Sequence, residues 1–156
     1  MKNNEIRQLL ISSPAFENEG DIPAKYTCEG EDINPQLKVD NIPENTKTLA
    51  IIAEDPDAPK GTFDHWLVWN VPPDGIIEEN RIAGISGTNG GGKTGYYGPC
   101  PPSGTHRYYF HVFALDSSLH LQGGADKKTL QDAMEPHILA KGTLMGRYKK
   151  AGKKEV

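Results

Sequence analysis

Cysteine is scarce in this 156-residue chain, with only Cys28 and Cys100. Two cysteines cannot make the dense framework that holds small secreted domains together. In a reducing compartment both stand as free thiols, and a single bridge forms if their two loops meet in space. Long apolar runs are missing as well. No stretch approaches the ~20 residues needed to cross a bilayer, so no membrane insertion is expected. The opening residues, Met1 to Ile11, are too polar for a secretory signal, and the expected location is cytoplasmic. Positive charge is thin over most of the chain. The formal net charge is −4, yet six of the 17 basic residues (Lys141, Arg147, Lys149, Lys150, Lys153 and Lys154) follow residue 140, with only Glu155 among them. A body this acidic excludes a broad nucleic-acid surface. Residues 149–156 read as a short, solvated basic end of a single domain spanning 1–156.

What the chain does have is short apolar segments punctuated by glycine and proline. Ile6 to Phe16 reads as a first strand, and Asp21 to Cys28 as a short extended piece. Leu37, Val39 and Ile42 surround a brief strand. Thr48 to Glu54 is continuously apolar until its last residue, the pattern of a strand buried on both faces. Phe63 to Val71 is aromatic and β-branched, a further strand. Tyr108 to Leu115 continues as a strand, and Thr143 to Tyr148 is extended. One segment is helical: Asp126 is a good N-cap, Leu130, Ala133 and Met134 fall at helical spacing, and Pro136 ends it. Many short strands with one late helix predict a mainly β fold, a β-sandwich with a peripheral helix.

Several motifs carry candidate chemistry. Gly87-Thr88-Asn89-Gly90-Gly91-Gly92-Lys93-Thr94 formally fits a phosphate loop, but that loop needs a helix directly after it. Gly95-Tyr96-Tyr97-Gly98-Pro99 cannot supply one, so the segment reads as a mobile surface loop. Asp55-Pro56-Asp57-Ala58-Pro59 sets two carboxylates at a strand end, where function is common, and either proline is a candidate for a cis bond. Nothing here has the spacing of a dedicated metal site, so neither metal nor cofactor is expected. Gly98-Pro99-Cys100-Pro101-Pro102-Ser103-Gly104-Thr105-His106-Arg107-Tyr108 combines a proline wall, poor in N–H donors, with three donor side chains. Strand alternation puts His106 and Tyr108 on one face and Arg107 on the other. That is a rim suited to a small anion.

Taken together, Asp55-Pro56-Asp57-Ala58-Pro59, His65-Trp66-Leu67-Val68-Trp69-Asn70, Gly98-Pro99-Cys100-Pro101-Pro102 and Gly104-Thr105-His106-Arg107-Tyr108 resemble the signatures of the phosphatidylethanolamine-binding protein family. Tyr26 to Pro35 and Phe113 to Asp116 resemble its prokaryotic, Raf-kinase-inhibitor-like branch. The resemblance spans about Phe16 to Tyr148. It implies a Greek-key β-sandwich of two antiparallel sheets with one or two short helices and an anion pocket at one end. By motif, the ligand-binding residues are Asp55, Asp57, His65, Pro101, His106 and Tyr108. Two departures stand out: Pro99-Cys100 is inserted into the proline loop, and Pro136 replaces the usual glycine before the late histidine.

The implied function is binding of a small anion or phosphorylated ligand, with Asp55 accepting from one imidazole and thereby favouring its charged form. Anion binding is expected to tighten below about pH 6.5. Arg107 is assigned to a salt bridge inside the sandwich. The family also contains regulators of protein partners, so a protease or kinase target, reached through surface loops such as Gly87 to Gly95, stays open. Its prokaryotic members suggest a homodimer. An enzyme is not expected. A weak hydrolase would need a nucleophile, and Ser103, near His106 in sequence, need not face it.

Overall fold

The computed structural model describes residues 6–151; the lysines at 153 and 154 of the basic end lie outside the described residues. The strands, in chain order, are β1 (Arg7–Gln8), β2 (Leu10–Ser12), β3 (Gly20–Asp21), β4 (Leu37–Asp40), β5 (Thr48–Asp55), β6 (Phe63–Val71), β7 (Ile76–Ile77), β8 (Ile85–Ser86), β9 (His106–Leu115) and β10 (Ile138–Tyr148), with one α-helix, α1 (Lys127–Met134). They form a seven-stranded sheet in the order β1-β10-β9-β5-β6-β8, with β3 also beside β10, and a three-stranded sheet in the order β2-β4-β7. The fold is mainly β, two packed sheets with a helix outside.

The apolar run of β5 explains the layering. Leu49, Ile51 and Ala53 point between the sheets, where they meet Val68, Phe110, Val112 and Leu37. Ala50 and Ile52 point the other way and pack with Leu67, Trp69, Leu130 and Met134 beneath α1. A strand covered on both faces has no use for alternation, which is why this segment is apolar throughout. The helix begins where Asp126 accepts a hydrogen bond from Thr129 N (2.9 Å). It gives way at Pro136 to a 3-10 turn over Glu135–His137.

Some segments differ from the sequence reading. The first strand is two: β1 joins the large sheet and β2 the small one. The chain changes sheets at Leu9, which is buried and donates its N–H to Lys141 O. A Cβ at Gly142 would collide with the Leu9 carbonyl there. The extended piece before Cys28 contains a 3-10 turn, Ala24–Tyr26, started by Pro23. The sheets are not wholly antiparallel, because β1 and β3 both run parallel to β10. No peptide bond is cis among the described residues, so Pro56 and Pro59 are both trans. The two cysteines are not free thiols: Cys28 and Cys100 are joined.

Candidate ligand-binding site

Antiparallel pairing brings the end of β5 level with the starts of β6 and β9, with Asp55 opposite Phe63 and Glu54 opposite Tyr109. A cup of about 290 Å³ opens at this edge. Asp55, His65, His106 and Tyr108 reach into it, with Phe63, Tyr97, Ala58, Pro59, Cys100, Pro101 and Pro102 as walls. All four polar residues are buried.

His65 gets there through a bulge. Register slips between the Ala53–Trp66 and Glu54–Asp64 pairs, so β6 carries one extra residue, at His65. On a regular ladder His65 would share the face of Leu67 and Trp69, under α1. The extra residue turns it into the cup instead. There its ring lies edge-on to Tyr108, with centroids 5.2 Å apart. Its Nδ1 donates to the Tyr97 carbonyl at 2.5 Å, which leaves Nε2 unprotonated in the neutral ring. Burial lowers the His65 pKa below its ordinary value, against the raising effect of the Tyr97 hydrogen bond and of Asp55. At neutral pH His65 is therefore uncharged.

His106 is set differently. Its Nδ1 lies 2.7 Å from Asp55 Oδ2, inside the protein. The other carboxylate oxygen, Oδ1, accepts from Asp57 N at 2.8 Å and so closes the turn after β5. One carboxylate thus orients an imidazole and shapes the loop. Tyr108 stacks on His106 with centroids 6.4 Å apart. Its hydroxyl is buried and makes no well-formed hydrogen bond among the described residues. Burial, reinforced by the charge of Asp55 and by a loose hydrogen bond to its carboxylate, raises the phenol pKa far above its usual value, so the hydroxyl keeps its proton and can donate.

A family model described as phosphatidylethanolamine-binding protein matches residues 12–149. The chain belongs to this family. A UPF0098 protein of Pyrococcus horikoshii is 47% identical over 157 residues, covering 94% of this chain and 79% of that protein. The crystal structure of a phosphatidylethanolamine-binding protein homologue from Chlamydia trachomatis superposes with a TM-score of 0.89 at 39% identity, covering 93% of this chain and 99% of that one. The Escherichia coli protein YbcL, described as a new member of the mammalian family, has the same fold (TM-score 0.84, 23% identity, 92% and 99% coverage).

Five of the six residues singled out from the motifs of the phosphatidylethanolamine-binding protein family, Asp55, His65, Pro101, His106 and Tyr108, line this one cup. Asp57 does not. Its carboxylate is turned outward and clamped by Arg107, which donates from its backbone N (2.9 Å), Nε (2.9 Å) and Nη2 (2.7 Å). That hydrogen bonding holds the Asp57 pKa down at about 2. The pair also corrects the placement of Arg107: it lies on the exposed outer side, not within the sandwich. Asp57 and Arg107 therefore lock the strand end that carries Asp55 to the strand start that carries His106.

Ser103 does not line the cup. The glycine-rich segment is organised rather than formless. Asn89, buried, accepts from Gly91 N and Lys93 N and donates to Gly95 O. Motif reasoning missed Tyr97, whose backbone carbonyl fixes His65. A carbonyl is common to every residue, so that hydrogen bond left no mark in the sequence, although the Tyr97 ring also packs against Phe63 and His65. Phe63, two residues before His65 on the same strand, was legible as a neighbour by alternation.

Proposed function

We propose that the cup binds small anions, phosphoryl and carboxylate groups above all, and that the protein acts by recognising such a group on a free ligand or on a partner. The observation carrying this is the Tyr108 hydroxyl, buried and protonated between two imidazoles, with only a loose hydrogen bond to Asp55. A buried hydroxyl without a partner costs about 1–3 kcal/mol, and a ligand oxygen placed there removes that cost. Asp55 holds His106 by Nδ1, leaving its other ring nitrogen for the ligand.

The cup has no standing excess of positive charge. Asp55 sits against His106, His65 is neutral, and Arg107 is committed to Asp57. A bound anion therefore favours protonation of His65 at Nε2, converting an acceptor into a donor. Binding and proton uptake are then linked, and affinity rises as pH falls below about 6.5. The sign matches the expectation from sequence, but the proton goes to His65 because burial keeps that ring neutral in the empty cup.

Sulfate tests this, since its own charge is constant between about pH 5 and 8. Calorimetric titration at pH 7.5 and 5.5 is expected to show tighter binding at the lower pH, by up to about tenfold per pH unit until His65 is protonated. Binding that is unchanged or weaker at pH 5.5 contradicts the proposal. Comparing phosphate with a phosphorylated peptide then reads whether the group is recognised free or on a protein.

A further inference from the structure

The disulfide has a place in the cup that anion binding does not require. Cys100 forms part of the lining beside Pro101 and Pro102, and its partner Cys28 lies in a loop 72 residues earlier. We propose that Cys28–Cys100 is a thiol-exchange site, reacting with small mono- and dithiols, and that its opening releases the proline wall and weakens anion binding. The second half of this statement rests on reading the cup as an anion site.

Three observations carry it. The first is how the wall is held. Residues 100–105 make no hydrogen bond to any other described residue. Pro101 and Pro102 have no N–H to offer. Upstream, the Gly98 N–H is bound by Asp32 Oδ1 (2.8 Å) and the Pro99 carbonyl by Cys28 N (3.1 Å). Downstream, the chain is fixed only when β9 begins at His106. Gly104, at φ +69°, supplies a turn that other residues adopt reluctantly. Between Pro99 and His106 the disulfide is thus the tether.

The second observation is access. Cys28 is an exposed residue and Cys100 a half-buried one, so Cys28 is the more accessible of the two to an incoming thiolate. The third is asymmetry. The Cys28 loop is anchored independently: Glu29 accepts from the Tyr148 hydroxyl and from Ala151 N (3.1 Å), and Thr27 Oγ1 donates to Ala24 O (2.9 Å). Opening the bond leaves the Cys28 side in place and frees the Cys100 side.

The chemistry closes as follows. A thiolate attacks Cys28 Sγ, a new S–S bond forms there, and Cys100 leaves as a thiolate that takes a proton from water. With a monothiol the product is a mixed disulfide on Cys28. With a dithiol the reagent's second thiolate attacks its own sulfur in that mixed disulfide. Cys28 then leaves as a thiolate and is protonated, and the reagent ends as its own disulfide. Two electrons have passed from the dithiol to the protein.

The experiment uses the full chain in two arms. In the first, glutathione is added under native conditions and the adduct is located by peptide mass mapping. An adduct on Cys28 is expected; an adduct on Cys100, or none, overturns the proposal. In the second, sulfate affinity is compared for oxidised protein, dithiothreitol-reduced protein and the Cys28→Ser/Cys100→Ser double variant, with far-UV circular dichroism confirming the fold. The expected result is about tenfold weaker binding in the reduced and double-variant proteins. Equal affinity in all three overturns the gating claim. If oxidised protein fails to bind sulfate at either pH, the anion reading itself has failed, and the mapping arm still decides the exchange site.

Discussion

Tyr108→Phe separates a ligand-binding hydroxyl from a structural one, because the two roles predict opposite changes in stability. The substitution keeps the ring, and with it the edge contact to His65 and the stack on His106. It removes one oxygen that is buried with no well-formed hydrogen bond, only a loose one to Asp55. Leaving a buried hydroxyl unpaired costs about 1–3 kcal/mol, so its removal is expected to stabilise the empty protein by about 1 kcal/mol, or about 2–4 °C in Tm for a domain of this size. The same change deprives a bound anion of a hydrogen bond worth about 1.5–3 kcal/mol when the acceptor is charged, a loss of ten- to a hundredfold in affinity. Thermal unfolding without ligand and calorimetry with sulfate at pH 5.5 give both numbers. A variant that melts lower than the parent and binds sulfate equally well would refute the reasoning.

Other substitutions probe the supports of the cup. Asp55→Ala removes the acceptor for His106 Nδ1 and for Asp57 N; two lost hydrogen bonds to a buried carboxylate should cost about 3 kcal/mol in urea unfolding at pH 7, and a loss under 1 kcal/mol would contradict its double role. Arg107→Ala breaks a solvent-exposed clamp, so only a small loss of stability is expected, with weaker sulfate binding because the Asp57 turn loosens. Acid should destabilise the protein in two steps. His65 has a lowered folded pKa, so its contribution is fully present above the unfolded value near 6.5 and is lost as pH falls below it. Glu54, held down at about 2 chiefly by His111 and then by Lys127, loses its contribution as pH falls from about 4.5 toward 2. Tm followed against pH should lose the first step in His65→Gln and keep the second. Reducing Cys28–Cys100 opens a loop of 72 residues, and chain entropy sets the stability loss at about 4 kcal/mol; a loss below 1 kcal/mol by urea unfolding would show that the two loops hold together without it.

Much of this was legible in the sequence because it is carried by period and by residue type. The apolar run of β5 announces a strand covered on both faces, and both faces are filled. Asp126 announces a helix start, and its side chain caps Thr129. Alternation separates His106 and Tyr108 from Arg107, and the strand divides them that way. What was not legible depends on register and on long-range closure. The bulge that turns His65 into the cup is a one-residue slip between two strands, invisible in either strand alone. Asp57 and Asp55 look alike as neighbouring carboxylates of one motif; only the packed structure shows one facing Arg107 outside and the other facing His106 within. The split of the first strand between two sheets, and the meeting of Cys28 with Cys100, are likewise set by tertiary contacts.

The central claim is that Tyr108, His106 and His65 converge on one bound anion. A crystal of this protein soaked in sulfate at pH 5.5 tests it most directly. The expected result is tetrahedral density in the cup, with one oxygen within hydrogen-bond distance of the Tyr108 hydroxyl and others beside the His65 and His106 rings. Sulfate bound elsewhere on the surface, with the cup holding only water, would contradict it.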